Sequence, residues 1–384
     1  MNHLRSFIIV FLILSALFLA GCSGVHISQM IVPGDDDWLM SGGSPEQHNV
    51  SKSVVEPPLE VEWSYNIDAG IGYSAISVSD GVAFVNDLQG EMYSLDISSG
   101  GKIGQLNFLG KEANTTPLIN SNDVYLAFAG DKYSLVCYNL LEGDIKWRRR
   151  LGFIQTSPVM KDNSIYVGSL NGKFYKLNKS GTVNWKFKSG SPIHSTCAVL
   201  GDKAVFGNDD GYMYCINTSD GLSAWKFGTG GPIMGAPLVY NDKVFFGSYD
   251  SNYYCLDINS GTKVWSTNLK TKLFSGSALF GDSSVIFGGI DGNLYSLSIS
   301  SGLVNWKFFT NGVITSTPLI SGRYVYFSSY DRFLYCVEGS SGKGLWSYEM
   351  EGKGKTSPVI WRDMLFAADD VDVICFKHKK NESE

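Results

Sequence analysis

The stretch DINSGTKVW, residues 257–265, returns along the chain with small changes. It reappears as NTSDGLSAW (217–225), SISSGLVNW (298–306) and EGSSGKGLW (338–346), more loosely as NLLEGDIKW (139–147), and shortened as NKSGTVNW (178–185). Its tryptophans, Trp147, Trp185, Trp225, Trp265, Trp306 and Trp346, stand 38, 40, 40, 41 and 40 residues apart. Trp63 lies 84 residues before Trp147, two periods away, and the copy between them, GGKIGQLNF (100–108), has lost its aromatic near Leu106. That makes eight marked positions, and a fixed period of this length is the mark of a repeat architecture.

Within one period, residues 236–268, short runs of alternating apolar and β-branched residues are separated by turn residues: APLVY, KVFFGS, NYYCLDI, then KVWSTNL. Four short strands per unit follow from that alternation. YNDK (240–243) joins the first two strands, and Asx-Gly pairs such as Asn171-Gly172, Asp210-Gly211 and Asp291-Gly292 suit the tight hairpin after them. In the third hairpin Asp257 can accept backbone N–H bonds and Gly261 can take the left-handed conformation, leaving Trp265 to pack between neighbouring sheets. Four strands every ~40 residues predict an all-β, eight-bladed β-propeller. The last unit, 356–380, holds only three strands, and a spare one, LEVEWSYNI (59–67) with Trp63, stands at the other end of the chain. Pairing the two closes the ring and sets the propeller at residues 59–377, followed by a polar tail, 378–384.

The composition agrees, with 18% charged residues, 13% aromatic residues and 43 glycines, as in a well-buried β-rich protein. A net charge of −6 argues against nucleic acid as the main partner. Five cysteines, Cys137, Cys215, Cys255, Cys336 and Cys375, occupy matching places in different units and are expected, with Cys197, to be small buried hydrophobes. Residues 1–21 read as a signal peptide: MNHLR is cationic, FIIVFLILSALFLA is apolar and short for a membrane span, and LAGC (19–22) follows. LAGC resembles a bacterial lipobox, which implies acylation of Cys22, with 22–58 as a flexible leader. Several acyl chains would give a lasting membrane anchor.

The Asp/Asn-x-x-x-Gly-x-x-x-Trp phrase resembles the tryptophan-docking repeat of pyrroloquinoline-quinone-type propellers, as does the leader DDDWLMSGGSPEQHNV (35–50). One branch of that superfamily, the quinoprotein dehydrogenases, carries the quinone and Ca²⁺ in a funnel. This chain has no Cys-Cys pair and no C-x-x-C-H haem site, so no cofactor is assigned. The acidic clusters Asp209-Asp210 and Asp369-Asp370 with Asp372 read as solvated hairpin turns. Lipobox, length and blade number are instead similar to the propeller lipoproteins of the outer-membrane β-barrel assembly machinery. That resemblance implies a non-catalytic, membrane-anchored scaffold on the periplasmic side of the outer membrane, with a periplasmic domain of the barrel-insertion protein as partner. A quinone- or small-ligand-binding propeller is the alternative.

Candidate functional residues are those that vary while the scaffold repeats. Aligning the units on TSP (156–158) gives an apolar ring, Ile71, Ala113, Ile154, Ile193, Ile233, Leu273, Ile314 and Gly354, which suits packing between blades. The next position varies: Gly72, Asn114, Gln155, His194, Met234, Phe274, Thr315, Lys355. Of these, Gln155, His194, Met234, Phe274 and Lys355 are candidates for partner contact, with ordinary loop roles as the alternative. WRRR (147–150) is the one dense basic run, placed on an outer strand where it can meet solvent, an anionic lipid or an acidic partner.

Overall fold

A computed structural model describes residues 24–67, 69–73, 76–108, 112–130 and 133–379; the signal segment and Cys22 lie outside them. Eight antiparallel sheets follow one another around a ring, and among the described residues there is no helix. Blade 5 is typical, with strands Leu238–Tyr240, Lys243–Gly247, Asn252–Asp257 and Lys263–Asn268 running from the central channel to the rim. Its two inner strands meet at Asn241 and Asp242, both at positive φ, as a tight hairpin requires. At its third hairpin the Asp257 carboxylate accepts the N–H groups of Asn259 and Ser260 at 3.0 and 2.8 Å. The Ser260 bonds hold that carboxyl below its ordinary range.

Each blade leans on the next through its tryptophan. The Trp225 ring covers Gly261 of the following blade so closely that a Cβ there would stand 2.6 Å from the indole, and Trp225 Nε1 donates to the Ile258 carbonyl at 2.7 Å. Trp63, Trp147, Trp185, Trp265 and Trp306 repeat the arrangement on Gly100, Gly181, Gly221, Gly302 and Gly342. Trp346 has no such turn to meet, because its neighbour is the closing blade; it packs edge-on to Phe376 instead. In that blade Leu59–Asn66 pairs antiparallel with Asp372–His378, Trp63 opposite Cys375. The strand thus runs one residue past the expected boundary at 377.

Two expectations are corrected. The degenerate docking position is Gly104, opposite Ser94, and not Leu106, which is buried in the blade 1–2 core. Nor is the leader flexible where it is described. Val25 packs over Gly104, and His26 lies against Gly143, the glycine that the missing indole would have covered. Tyr138 donates its hydroxyl to the Val25 carbonyl at 2.9 Å, and Ile27 N–H donates to the Leu140 carbonyl at 2.9 Å. Val25 and Ile31 therefore belong to the core between blades 1 and 2.

All six described cysteines are buried and unbridged. Burial pushes the thiols of Cys137, Cys215, Cys255, Cys336 and Cys375 up to about 12, and raises Cys197 by the same cause. Since the thiolate is the reactive form, iodoacetamide at pH 8 should label none of the six in the native protein and all six in denaturant, read by intact mass. The docking contact is tested by Gly261→Ala against Gly143→Ala, both at positive φ. An added methyl at Gly143 meets only His26, at 3.3 Å. Gly261→Ala should lose about 2 kcal/mol more in denaturant unfolding, the usual scale of overpacking.

Candidate functional site: a funnel closed at one end

An innermost strand has a sheet neighbour on one side only, so its other edge offers unpaired backbone groups to the channel. The leader supplies the partners. Trp38 and Val78 exchange both backbone bonds at 2.9 Å in blade 1. The carbonyls of Leu39, Pro45, Glu46, His48 and Asn49 then accept from Ile119, Val199, Val239, Leu279 and Ile320, at 2.7–3.0 Å, in blades 2, 4, 5, 6 and 7. Val50–Ser51 continues as a parallel strand beside Leu319–Ser321. The two remaining blades are held by side chains: Lys161 pairs with Glu46 at 3.2 Å, and Trp361 Nε1 donates to Asp37 at 2.8 Å. Residues 37–51 thus form a strap across one end of the channel.

The strap is the floor of a cavity of about 430 Å³. Trp38, Gln47 and Asn49 line it from below. Trp38 Nε1 and Gln47 Nε2 face no hydrogen-bond acceptor among the described residues, although the two residues are only 5% and 2% exposed. The walls are stitched blade to blade by small hydroxyl residues. Ser157 Oγ accepts from Thr116 N–H at 2.9 Å, Thr196 Oγ1 from Ser157 N–H at 3.0 Å, and Ser357 Oγ from Thr317 N–H at 2.9 Å.

The mouth is built from the loops that enter the innermost strands. Gln155, His194, Met234 and Phe274 all line the cavity, as the repeat alignment predicts, together with Asn114 and Thr315. Lys355 is not among its lining residues and pairs instead with Asp370 at 3.4 Å. The apolar ring one position earlier is buried between blades: Ile71 and Leu273 are 1% exposed, and Ala113, Ile154, Ile193, Ile233 and Ile314 are fully enclosed.

The register missed Tyr73. It follows Gly72, whose bare Cα is covered by the Asn114 side chain. The Tyr73 ring reaches Phe274 at a centroid distance of 5.3 Å, and its hydroxyl accepts from Tyr330 at 3.0 Å. Tyr249 adds a third ring at 6.5 Å from Phe274. Burial raises the Tyr249 and Tyr330 hydroxyls above the ordinary range, so both remain neutral donors at physiological pH. Tyr73 is 47% exposed, which leaves an aromatic edge open at the mouth.

The acidic clusters are less solvated than expected. Asp209 is held by His194 Nδ1 at 2.8 Å. Asp369 is fully buried, accepting the N–H groups of Gly352, Val371 and Asp372 at 2.7–2.8 Å.

A family model described as "Outer membrane protein assembly factor BamB" matches residues 60–187 and 175–383. The chain belongs to this family. A curated relative of that name from Moranella endobia is 25% identical over 178 residues, covering 42% of this chain and 45% of the relative, so the aligned part spans about half that protein's length. The crystal structure of BamB from Moraxella catarrhalis superposes with a TM-score of 0.72 at 15% identity, over 83% of this chain and 99% of that one. A quinohemoprotein alcohol dehydrogenase from Pseudomonas putida superposes at 0.77 with 11% identity, over 91% and 82%. At these identities the structural likeness is one of fold.

Ca²⁺ takes six to eight converging oxygens. Among the described residues no three His, Cys, Asp or Glu side chains converge in that way, and Asp209 and Asp370 are committed to His194 and Lys355.

The strap's role as a structural floor has a direct test. Val25, Ile31, Trp38 and Val55 are each at most 5% exposed, and a buried side chain of this kind contributes ~1.5–3 kcal/mol. Removing residues 24–55 should therefore lower the melting temperature by roughly 10 °C. A loosely tethered leader would leave the melt unchanged.

Proposed function

We propose that this protein is a non-catalytic scaffold of outer-membrane protein assembly, attached by acylated Cys22 to the periplasmic face of the outer membrane. Its mouth loops would receive a periplasmic domain of the barrel-insertion protein. The observation that carries this reading is the asymmetry of the channel. One end is sealed by main-chain bonds, while the other presents Tyr73, Met234 and Phe274 around a recessed cavity. An exposed Tyr73 beside half-buried Met234 and Phe274, with a polar surround of Asn114, Gln155 and His194, suits docking of an apolar segment. Membership of a family described as an assembly factor supports the same role.

A photo-crosslinking amino acid in place of Phe274 should give an adduct with the barrel-insertion protein in native membranes. The same probe at Leu303, which is 69% exposed on the rim, should not. Equal adducts from the two sites, or none from Phe274, overturn the assignment of the mouth. Phe274→Asp with Met234→Asp should cut co-purification at least ten-fold while leaving the melt nearly unchanged, because neither side chain is buried in the core clusters. Acylation is read separately, from the mass of the N-terminal peptide.

A small ligand in the funnel has one observation in its favour, the unpaired donors Trp38 Nε1 and Gln47 Nε2 at the floor. Calorimetric titration with pyrroloquinoline quinone decides it: saturable heat that Gln47→Leu abolishes would establish the second reading.

A further inference from the structure

Charge is distributed very unevenly over this protein. Residues 145–190 carry ten Lys and Arg and a single acid, Asp162, in a chain whose net charge is −6. That segment supplies the outer strand of blade 2 after its first residue, Asp144, as far as Arg149, and most of blade 3, whose outer strand is Val183–Lys188. Arg148, Arg150, Lys186 and Lys188 are exposed along this part of the rim.

The fold does not need these charges. Lys173 and Lys188 are direct cross-strand partners, and like charges placed opposite one another weaken a sheet. Among the described residues, no ion pair engages Arg148, Arg150, Lys173, Lys179, Lys186 or Lys188. The rim that carries them is nevertheless rigid. Trp147 donates to the Lys179 carbonyl at 2.8 Å, and Arg149 clamps the Gly181 and Ser180 carbonyls of blade 3 at 2.5 and 3.2 Å.

The N-terminal segment docks beside this patch. Gly24 and Val25 lie in the crevice between blades 1 and 2, against Tyr138 and Gly104. Arg148 pairs with Val136, two residues from Tyr138 on the same face of blade 2. Covalent geometry alone keeps Cys22 within about 7 Å of Gly24. Gly24 thus joins the fold at the blade 1–2 crevice, and the blade 2 side of that crevice leads along one sheet face from Tyr138 to Arg148.

We propose that the basic rim of blades 2 and 3 docks edge-on against an anionic phospholipid surface, beside the point where the N-terminal segment joins the fold. The proposal rests on the reading of the chain as membrane-attached, but the electrostatic contact is independent of acylation. Phosphate groups suit an exposed set of guanidinium and ammonium groups. A surface potential acts over about a Debye length, roughly 8 Å in physiological salt, so only cations held close to the bilayer contribute. A short tether ensures that closeness. Edge-on docking leaves the channel mouth free for a partner.

The test uses the mature full-length chain with Cys22→Ser, so that binding reports the rim and not the acyl group. Co-flotation is measured with vesicles of phosphatidylethanolamine and phosphatidylglycerol, and with vesicles of phosphatidylcholine. The chain should float with the anionic vesicles only, and high salt should release it. Each cation at such a surface is worth roughly a five-fold change in partitioning. Arg148→Glu with Lys186→Glu and Lys188→Glu should therefore reduce it by at least about a hundred-fold. The control Lys263→Glu, Lys307→Glu and Lys343→Glu makes the same charge change at exposed sites in, or in the case of Lys343 immediately before, the outer strands of blades 5, 6 and 7, and should float as the unaltered chain does. Equal loss in both triple variants, or no flotation of the parent chain, overturns the proposal. Absence of acyl mass on Cys22 in the wild-type protein would instead strike the anchoring reading, so the two failures are distinguishable.

Discussion

An indole lying flat over a left-handed glycine is the contact on which this ring depends. Neighbouring blades are twisted sheets, and they need a fixed spacing and a fixed mutual rotation to close after eight steps. The glycine is required twice. Its φ of 69–77° at the six docked turns is a conformation that side chains resist, and a Cβ there would fall 2.5–2.7 Å from the ring. The indole N–H then finds a carbonyl in the same turn, so the wedge carries direction as well as bulk. A single phrase therefore holds both halves of the joint: its tryptophan reaches forward to the next copy, and its glycine receives the tryptophan of the copy before. That reciprocity explains why the phrase recurs as a unit and does not decay into separate turn and strand signals.

The joint is missing in two places, one on each side of the intact Trp63–Gly100 joint between the closing blade and blade 1. Blade 1 has Gly104 where an indole would stand, and Trp346 of blade 7 faces a closing blade whose outer hairpin has been replaced by the two chain ends. The N-terminal segment compensates at the first site with Val25 and His26, while at the second Phe376 presents an aromatic edge to Trp346. Between those sites the same segment makes nearly one circuit of the channel, meeting blade 1 at Trp38 and blade 7 at Val50–Ser51 before entering blade 8 at Leu59. Closure is thus distributed over a strap and a strand, and is not left to the strand alone.

What the sequence reveals and what it hides divide along physical lines. The blades are legible because side chains make them: alternation, Asx-Gly turns and tryptophans are residue-specific demands repeated many times. The strap is hidden because main-chain carbonyls do most of its bonding, and a carbonyl leaves no mark on residue choice. Counting four residues from the turn glycine, as Gly261 to Trp265 requires, leads from Gly100 to Gly104 and would have located the lost indole. At the mouth, alignment on Thr156–Pro158 brings Gln155, His194, Met234 and Phe274 together correctly, because loop length is conserved among those units of this one chain. It fails for Lys355, which Asp370 draws aside, and for Tyr73, where the aromatic comes one residue late and Gly72 takes the aligned position.

The two ends of the channel are therefore under opposite constraints. At the floor, six innermost strands take backbone bonds from one continuous segment, so a change of path there would unpair several blades together. At the mouth, six of the loops contribute a side chain, from Asn114, Gln155, His194, Met234, Phe274 and Thr315, beside a buried apolar residue that already completes the inter-blade packing, and exchanging that side chain disturbs little else. A propeller built this way can alter what it recognises without altering how it stands. The same architecture supports a quinohemoprotein alcohol dehydrogenase at 11% identity, which fits a division of labour in which the repeat sets the shape and non-repeating loop residues set the chemistry. In this chain those residues are an aromatic edge, Tyr73 with Phe274, and the polar side chains of Asn114, Gln155 and His194.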